Sequence, residues 1–457
     1  MKDYETFLNR KNEIMMSAGI EGDLTLNPKL YDFQRDIVRW ALFKGRAAIF
    51  ADCGLGKTIM QLEWAHQVHL YCGGDVLILA PLSVTEQTKR EGQAFGIAVQ
   101  VCESQADVVP GINITNYEKL AKFDATHFKG VVLDESSILK SFTGKVRTAI
   151  IDAFRGCRYR LACTATPAPN DYMELGNHAE FLDVMSRNEM LATFFVHDSG
   201  NTSKWRLKRH AEDIFWQWMA GWSVFMDNPK SLGYEVTGYD LPPLNIHEII
   251  VDGDIAIDEA LTLTERRKAR KDTLDLRCQA AADLINASDD QWLVWCDLNA
   301  ESQGLYDRIE DSFQVRGSDK AQYKMDIMSE FSDDLVKCLI TKPSIAGFGM
   351  NWQQCHKMVF VGLSDSYEKY YQAMRRCWRF GQDQPVDVYI IISAREGAVK
   401  SNIERKETDA KKMQEATIEY TKEITKNNLK QTARMVTPYE PEVMMSLPDW
   451  EEFYESA

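Results

Sequence analysis

An apolar run, Ala47-Ala48-Ile49-Phe50, gives way to Ala51-Asp52-Cys53-Gly54-Leu55-Gly56-Lys57-Thr58, and a helically spaced stretch from Ile59 to Ala65 follows at once. A buried strand, a glycine turn and a helix start, in that order, leave the backbone few options. Successive N–H groups face outward with the helix dipole behind them, which makes a cradle for anions. Gly54 and Gly56 allow the turn, Lys57 supplies a cation for the outer phosphates of a nucleotide, and Thr58 offers a hydroxyl to Mg²⁺. The first glycine of the strict pattern is replaced by Ala51.

The chain has 457 residues, too many for one ordinary core, so about two to three domains are expected. From about residue 30 to 185, short apolar runs alternate with helical ones, which predicts an α/β fold with a parallel sheet flanked by helices. The expected strands are Ala47–Phe50, Val76–Ala80, Ile112–Thr115, Val131–Leu133 and Tyr159–Ala162. A second such block predicts strands at Trp292–Cys296, Val336–Thr341, Met358–Val361 and Val386–Ile392. The expected division is an N-terminal lobe over 1–185, a mixed helical connection over 186–280, a second lobe over 281–400 and a terminal segment over 401–457. That last segment predicts one long polar helix from Ala394 to about Lys430, rich in i,i+4 charge pairs, then an acidic tail with isolated aromatics.

A net charge of −15 excludes a generally basic surface, so any nucleic-acid contact has to be a local groove. The N-terminus lacks the apolar core of a signal peptide, and no window is long and apolar enough for a membrane span. Ten scattered cysteines without a Cys-x-x-Cys pair argue for reduced, buried thiols in a cytoplasmic setting and against structural zinc.

Downstream, Val131-Val132-Leu133 runs into Asp134-Glu135-Ser136-Ser137. An apolar strand that ends in two carboxylates places them at the carboxyl edge of the sheet, beside the anion cradle. There Asp134 would hold Mg²⁺ through its water shell, and Glu135 would orient and deprotonate an attacking water.

Two further segments follow, Leu161-Ala162-Cys163-Thr164-Ala165-Thr166-Pro167 and, far downstream, Gln372-Ala373-Met374-Arg375-Arg376-Cys377-Trp378-Arg379-Phe380-Gly381-Gln382. In order and content these motifs resemble superfamily 2 helicases and translocases, and more closely their Swi/Snf-like branch, over roughly residues 28–400. The likeness is to a minimal member of the kind a phage or prophage encodes, acting in a bacterial or infected-host cytoplasm. It implies two RecA-like lobes with an ATP cleft between them, ATP and Mg²⁺ as ligands, and duplex or branched DNA as partner. Residue by residue, it implies that Gln34 reads adenine and that Ser83, Thr115 and Asn116 touch the nucleic-acid backbone. Thr164, Thr166 and Gln372 would couple hydrolysis to lobe movement, and Gly349 belongs to a glycine-rich coupling segment. Arg376 and Arg379 would reach across the cleft to the γ-phosphate, their spacing of three placing both on one helix face. The chain departs from the family where Ser136-Ser137 replaces a small residue and histidine, where Arg375 replaces glycine and where Trp352 replaces leucine.

Other features favour plainer readings. Phe215, Trp218, Met219 and Trp222 fall at helical spacing and read as packing. Lys204 to His210 interleaves aromatic and basic residues, as nucleic-acid tracks do, whereas Arg266 to Lys271 reads as a solvated basic face. His356 beside Cys355 lacks partner ligands at useful spacing for a metal. The leading expectation is an ATP-driven motor on duplex DNA. A strand-separating helicase on DNA or RNA, and a nucleotide-gated clamp recruiting a protein through the acidic tail, stay open.

Overall fold

Runs such as Val76-Leu77-Ile78-Leu79-Ala80 bury both alternating sets of side chains, which a sheet allows only when helices cover both of its faces. The computed structural model describes residues 19–434, except 23, 141–143, 169–170, 199–200, 252–267, 269, 347–349, 365 and 395–396. In chain order the strands of the first half are β1 (Arg46–Ala51), β2 (Val76–Ala80), β3 (Val99–Val101), β4 (Ile112–Asn116), β5 (Gly130–Asp134), β6 (Tyr159–Cys163), β7 (Phe195–Asp198), β8 (Asn201–Leu207) and β9 (Ser223–Met226). Those of the second half are β10 (Leu244–Ile250), β11 (Trp292–Cys296), β12 (Ser312–Gln314), β13 (Cys338–Thr341), β14 (Lys357–Val361) and β15 (Val386–Ile392).

The first sheet runs β3-β4-β2-β5-β6-β1-β9 and the second β10-β15-β14-β11-β13-β12. Every pairing in both is parallel. Two α/β lobes with helix-covered parallel sheets are therefore present, as expected. In the first lobe Ala48, Phe50, Val131 and Leu133 pack on one face, while Ala47, Ile49 and Val132 pack on the other. Alternation of period two feeds two cores from one strand.

The connecting segment expected over 186–280 is corrected. Its residues Ser223–Met226 add β9 to the edge of the first sheet beside β1, and Leu244–Ile250 adds β10 to the edge of the second beside β15. Both lobes thus draw a strand from this stretch. Helix Glu212–Trp222 buries Phe215, Trp218, Met219 and Trp222 in the first core. The basic stretch from Lys204 falls largely on the β7–β8 hairpin, where Trp205 lies against His197 and, with Leu207, packs on the same core. In the basic stretch near 270, Arg270 is not a solvated charge. It donates to Glu301 Oε1 at 2.8 Å, and Arg277, fully buried, donates to the same oxygen at 2.9 Å.

The terminal helix spans Gly397–Arg434, and it is more than a polar rod. Ile403 enters the core of the second lobe. Further along, Ile418 enters one core of the first lobe and Leu429 the other. Tyr420 stacks on Trp216 at 5.7 Å, and Asn428 Nδ2 donates to the Ala220 carbonyl at 3.1 Å. One helix therefore straps the two lobes together. The acidic tail beyond it lies outside the described residues, and among the described residues no helix is long and apolar enough to cross a membrane.

The strap yields a stability prediction. Ile418→Ala should cost about 2–4 kcal/mol, as expected for a buried aliphatic residue, read as a lowered urea midpoint. The exposed Lys430→Ala on the same helix should cost no more than about 0.5 kcal/mol.

Candidate functional site

In the first sheet β5, β6 and β1 are neighbours, and Cys163 at the end of β6 pairs with both Asp134 and Ile49. The segments that leave these three strands at their carboxyl ends therefore share one edge. They are the glycine turn after β1, the carboxylate pair at the end of β5 and the threonine segment after β6.

Gly54 and Gly56 both have left-handed backbone, with φ of 88° and 77°. A Cβ on Gly56 would stand 2.3 Å from Gln34 Nε2, so this position excludes side chains on two grounds. The Gln34 amide, 4 % exposed, donates to the Leu55 carbonyl at 3.1 Å and accepts from the Tyr31 N–H at 3.0 Å. Tyr31, Tyr239 and Phe380 gather beside it, with Tyr239 and Phe380 ring centres 4.5 Å apart. Lys57 opens the following helix, Lys57–Cys72, and its Nζ donates to the carbonyls of Ala51 at 2.9 Å and Asp52 at 3.1 Å. The Thr58 hydroxyl bonds to Glu91, whose carboxyl is raised by burial.

Asp134 is buried and accepts from Gln61 Nε2 at 2.7 Å, while Tyr117 donates its hydroxyl to the Asp134 carbonyl at 2.6 Å. Glu135 has φ 54°, strained backbone for a residue with a Cβ. That turn brings its carboxylate to the Thr164 hydroxyl, which donates at 3.2 Å. Burial holds both carboxyls above their ordinary range, with Lys57 and Arg376 pulling the other way. Thr166 N–H donates to Thr164 Oγ1 at 3.2 Å, and the Thr166 hydroxyl donates to Glu368 Oε1 of the second lobe at 3.3 Å. Glu368 also pairs with Lys140.

From the second lobe, helix Tyr367–Met374 and the turn after it face this edge. Arg376 is 4 % exposed and donates to the carbonyls of Gln372 and Met350, each at 3.0 Å. Arg379 also reaches the Met350 carbonyl at 3.4 Å, and burial beside Arg376 pushes its guanidinium down to about 10. The turn sits directly on the glycine loop, since a Cβ on Gly54 would lie 3.1 Å from Phe380 N and 3.6 Å from Arg379 Cβ. Gln372 is 1 % exposed, yet neither atom of its amide finds a partner.

Thus Gln34, Gly54, Gly56, Lys57, Thr58, Asp134, Glu135, Thr164, Thr166, Gln372, Arg376 and Arg379 gather at one seam, and Gly349 lies outside the described residues. Two of the expected nucleic-acid contacts are corrected. Thr115 is buried and spends its hydroxyl on the Cys102 carbonyl at 2.8 Å. Asn116, also buried, caps the next turn by accepting from Lys119 N–H at 3.1 Å. Neither side chain faces an open surface. Ser83 lies on the turn Leu82–Val84 after β2.

Sequence reasoning passed over Gln61, Glu91, Tyr117 and Glu368. Only Gln61 carried a signal, one helical turn beyond Lys57 on the same face. The donor-lined loop, the buried carboxylate pair and the unpartnered Gln61 Oε1 and Gln372 amide fit a polyphosphate with a divalent cation.

The raised carboxyls carry a testable consequence. A folded-state value above the ordinary 4.5 means that the native protein binds the Glu135 proton more tightly than the unfolded chain does. Stability from this group is then lost as pH rises through the folded value. Glu135→Gln should raise the melting temperature of the nucleotide-free protein at pH 7, and the gain over wild type should shrink as pH falls toward 4.5.

Residues 277–381, which include both arginines, match the helicase conserved C-terminal domain. A stretch of 174 residues is 29% identical to a SWI/SNF-related matrix-associated actin-dependent regulator of chromatin subfamily A-like protein 1 from Xenopus laevis, covering 34% of this chain and 17% of that protein. Another of 186 residues is 29% identical to putative protein p41 of Acyrthosiphon pisum secondary endosymbiont phage 1, covering 35% of this chain and 40% of that one. These matches span less than half the length of either relative. Among solved structures, the Sulfolobus solfataricus SWI2/SNF2 ATPase core in complex with dsDNA superposes with a TM-score of 0.42 at 18% identity, covering 82% of this chain and 90% of that one. The second lobe thus carries a helicase C-terminal domain, and over about a third of its length the chain is similar to a SWI/SNF-related protein.

Proposed function

We propose that this chain is an ATP-hydrolysing motor that moves along or remodels duplex DNA. The observation that carries the reading is the seam itself. A phosphate loop and a carboxylate pair from one lobe meet two arginines from the other, so the full set of charges exists only when the lobes are together. An arginine supplied from a second body stabilises transition-state charge only in the closed arrangement, which ties chemistry to lobe geometry.

In this reading the loop N–H groups and Lys57 hold the β- and γ-phosphates, and Gln34 with its aromatic neighbours holds the base. Thr58 and Asp134 hold Mg²⁺, which neutralises charge on the phosphates when bound. Glu135, kept in place by Thr164 and by its own strained backbone, orients the attacking water and takes its proton. Arg376 and Arg379 leave the Met350 carbonyl for the γ-phosphate. Thr166, bonded across the seam to Glu368, relays the change to the second lobe. Duplex DNA as the lattice is supported by the Swi/Snf-like motif order, and tracking a phosphate backbone needs no base-reading module. With a net charge of −15, DNA affinity should fall steeply with salt. A cytoplasmic site of action and a recruiting protein partner fit the same reading.

Steady-state ATP hydrolysis should be low without nucleic acid and rise strongly with duplex DNA, beyond the response to single strands or RNA. Glu135→Gln should lower the stimulated rate by roughly 10²-fold or more, the usual weight of a positioned base. Arg376→Ala or Arg379→Ala should lower it by roughly 10³-fold, with ATP binding retained in a filter or fluorescence assay. A wild-type rate indifferent to every nucleic acid would overturn the motor reading.

A further inference from the structure

Arg375 occupies a position where the family resemblance leads one to expect glycine, and the structure gives it a definite task. It follows helix Tyr367–Met374 in the second lobe, is 5 % exposed, and crosses the seam to the start of the phosphate loop. One Nη2 both donates to the Cys53 carbonyl at 2.6 Å and pairs with Asp52 Oδ2 at 3.0 Å. The other carboxylate oxygen, Oδ1, accepts from Tyr371 Oη and from Cys53 N–H, each at 2.7 Å. Asp52 is itself pinned to the first sheet, because its N–H donates to the Met226 carbonyl at 2.9 Å. The guanidinium lies over the rings of Trp378 at 5.0 Å and Tyr371 at 5.8 Å.

A glycine could make none of these contacts. A buried guanidinium tolerates little displacement from its counter-charge, because an unpaired charge in that setting is strongly disfavoured. The ion pair thus fixes the turn carrying Arg376 and Arg379 relative to the loop carrying Gly54 and Lys57. It leaves Lys57 and the N–H groups from Gly54 to Thr58 to the phosphate cradle, and takes up only the Cys53 N–H, through Asp52 Oδ1. We propose that Arg375 is a positioning residue, a cross-seam latch to Asp52 and the Cys53 carbonyl that sets the register in which the second lobe's arginines meet a nucleotide. The catalytic part of this proposal rests on the ATP-hydrolysing reading above; the latch itself does not.

The test separates the two. In the nucleotide-free full chain, one label goes on Cys72, exposed on the first lobe, and a second on Leu335→Cys, 74% exposed on the second. Pulsed electron-spin distance measurement then reports how the lobes sit. Arg375→Met should lengthen and broaden the distribution, Asp52→Asn should do the same, and Arg375→Lys should restore most of the wild-type distance. The double variant should move the distance no further than either single one, the mark of a shared interaction. In ATP hydrolysis, Arg375→Met should lower kcat about tenfold, a modest loss for misplaced groups, while KM for ATP changes little and Arg375→Lys recovers part of kcat. An unchanged distribution in both Arg375→Met and Asp52→Asn would overturn the latch, whatever the activity. Should Arg375→Met fail to fold, Asp52→Asn, which keeps the side-chain volume, decides the question in the same assay. If the wild type hydrolyses no ATP, the motor reading fails while the distances still decide the latch.

Discussion

Charge taken out of water has to find its opposite, and in this protein the opposites stand on different lobes. Asp52, Asp134 and Glu135 belong to the first; Arg375, Arg376 and Arg379 belong to the second. Each set alone would carry a desolvation cost, which Lys57 of the first lobe offsets for Asp134 and Glu135 only in part. Brought together they make a seam dry enough to raise carboxyls and depress an arginine, the condition under which electrostatic control of a reaction is strongest. The lobes are shaped by their cores, but the way they meet is set by this exchange of charge.

Parallel sheets make the exchange feasible. When every strand of a lobe runs the same way, all carboxyl ends emerge on one edge, and loops distant in sequence become neighbours. The end of β5 and the start of the segment after β6 both stand beside the glycine loop through Cys163 alone. Antiparallel order would have scattered the same residues over two edges. The strain at Glu135 belongs to this economy, since the chain turns sharply at the strand end to aim a carboxylate at Thr164.

Much of this was legible in the sequence. Central strands such as β2 and β11 read out to their ends, because burial on both faces leaves an uninterrupted apolar run. The edges did not. β3 and β12 are three residues long, β10 exposes most of its side chains, and β9 follows a tryptophan-rich helix without a break in composition. The glycine turn after β1, the carboxylates and the arginine pair, which the fold gathers at one seam, stood out as local patterns of residue type. Thr115 and Asn116 were misread because their sequence context says nothing about where a hydroxyl or amide is spent. Arg375 stood out as a departure, yet its partner Asp52 lies at the other end of the chain, and only the fold brings the two together.

The terminal helix has a further consequence. It is seated in the second lobe at Ile403 and in the first at Ile418, and the span between them is roughly four turns, about 22 Å of α-helix. A rod clamped at both ends can neither stretch nor fold, so opening and closing of the cleft has to be absorbed as elastic curvature of those four turns or as slippage at one clamp. Helices bend gently over such lengths and resist more. The amplitude of any movement between the lobes is therefore limited by the flexural stiffness of a single helix, and lengthening that span by whole turns would widen that amplitude without touching the residues of the seam.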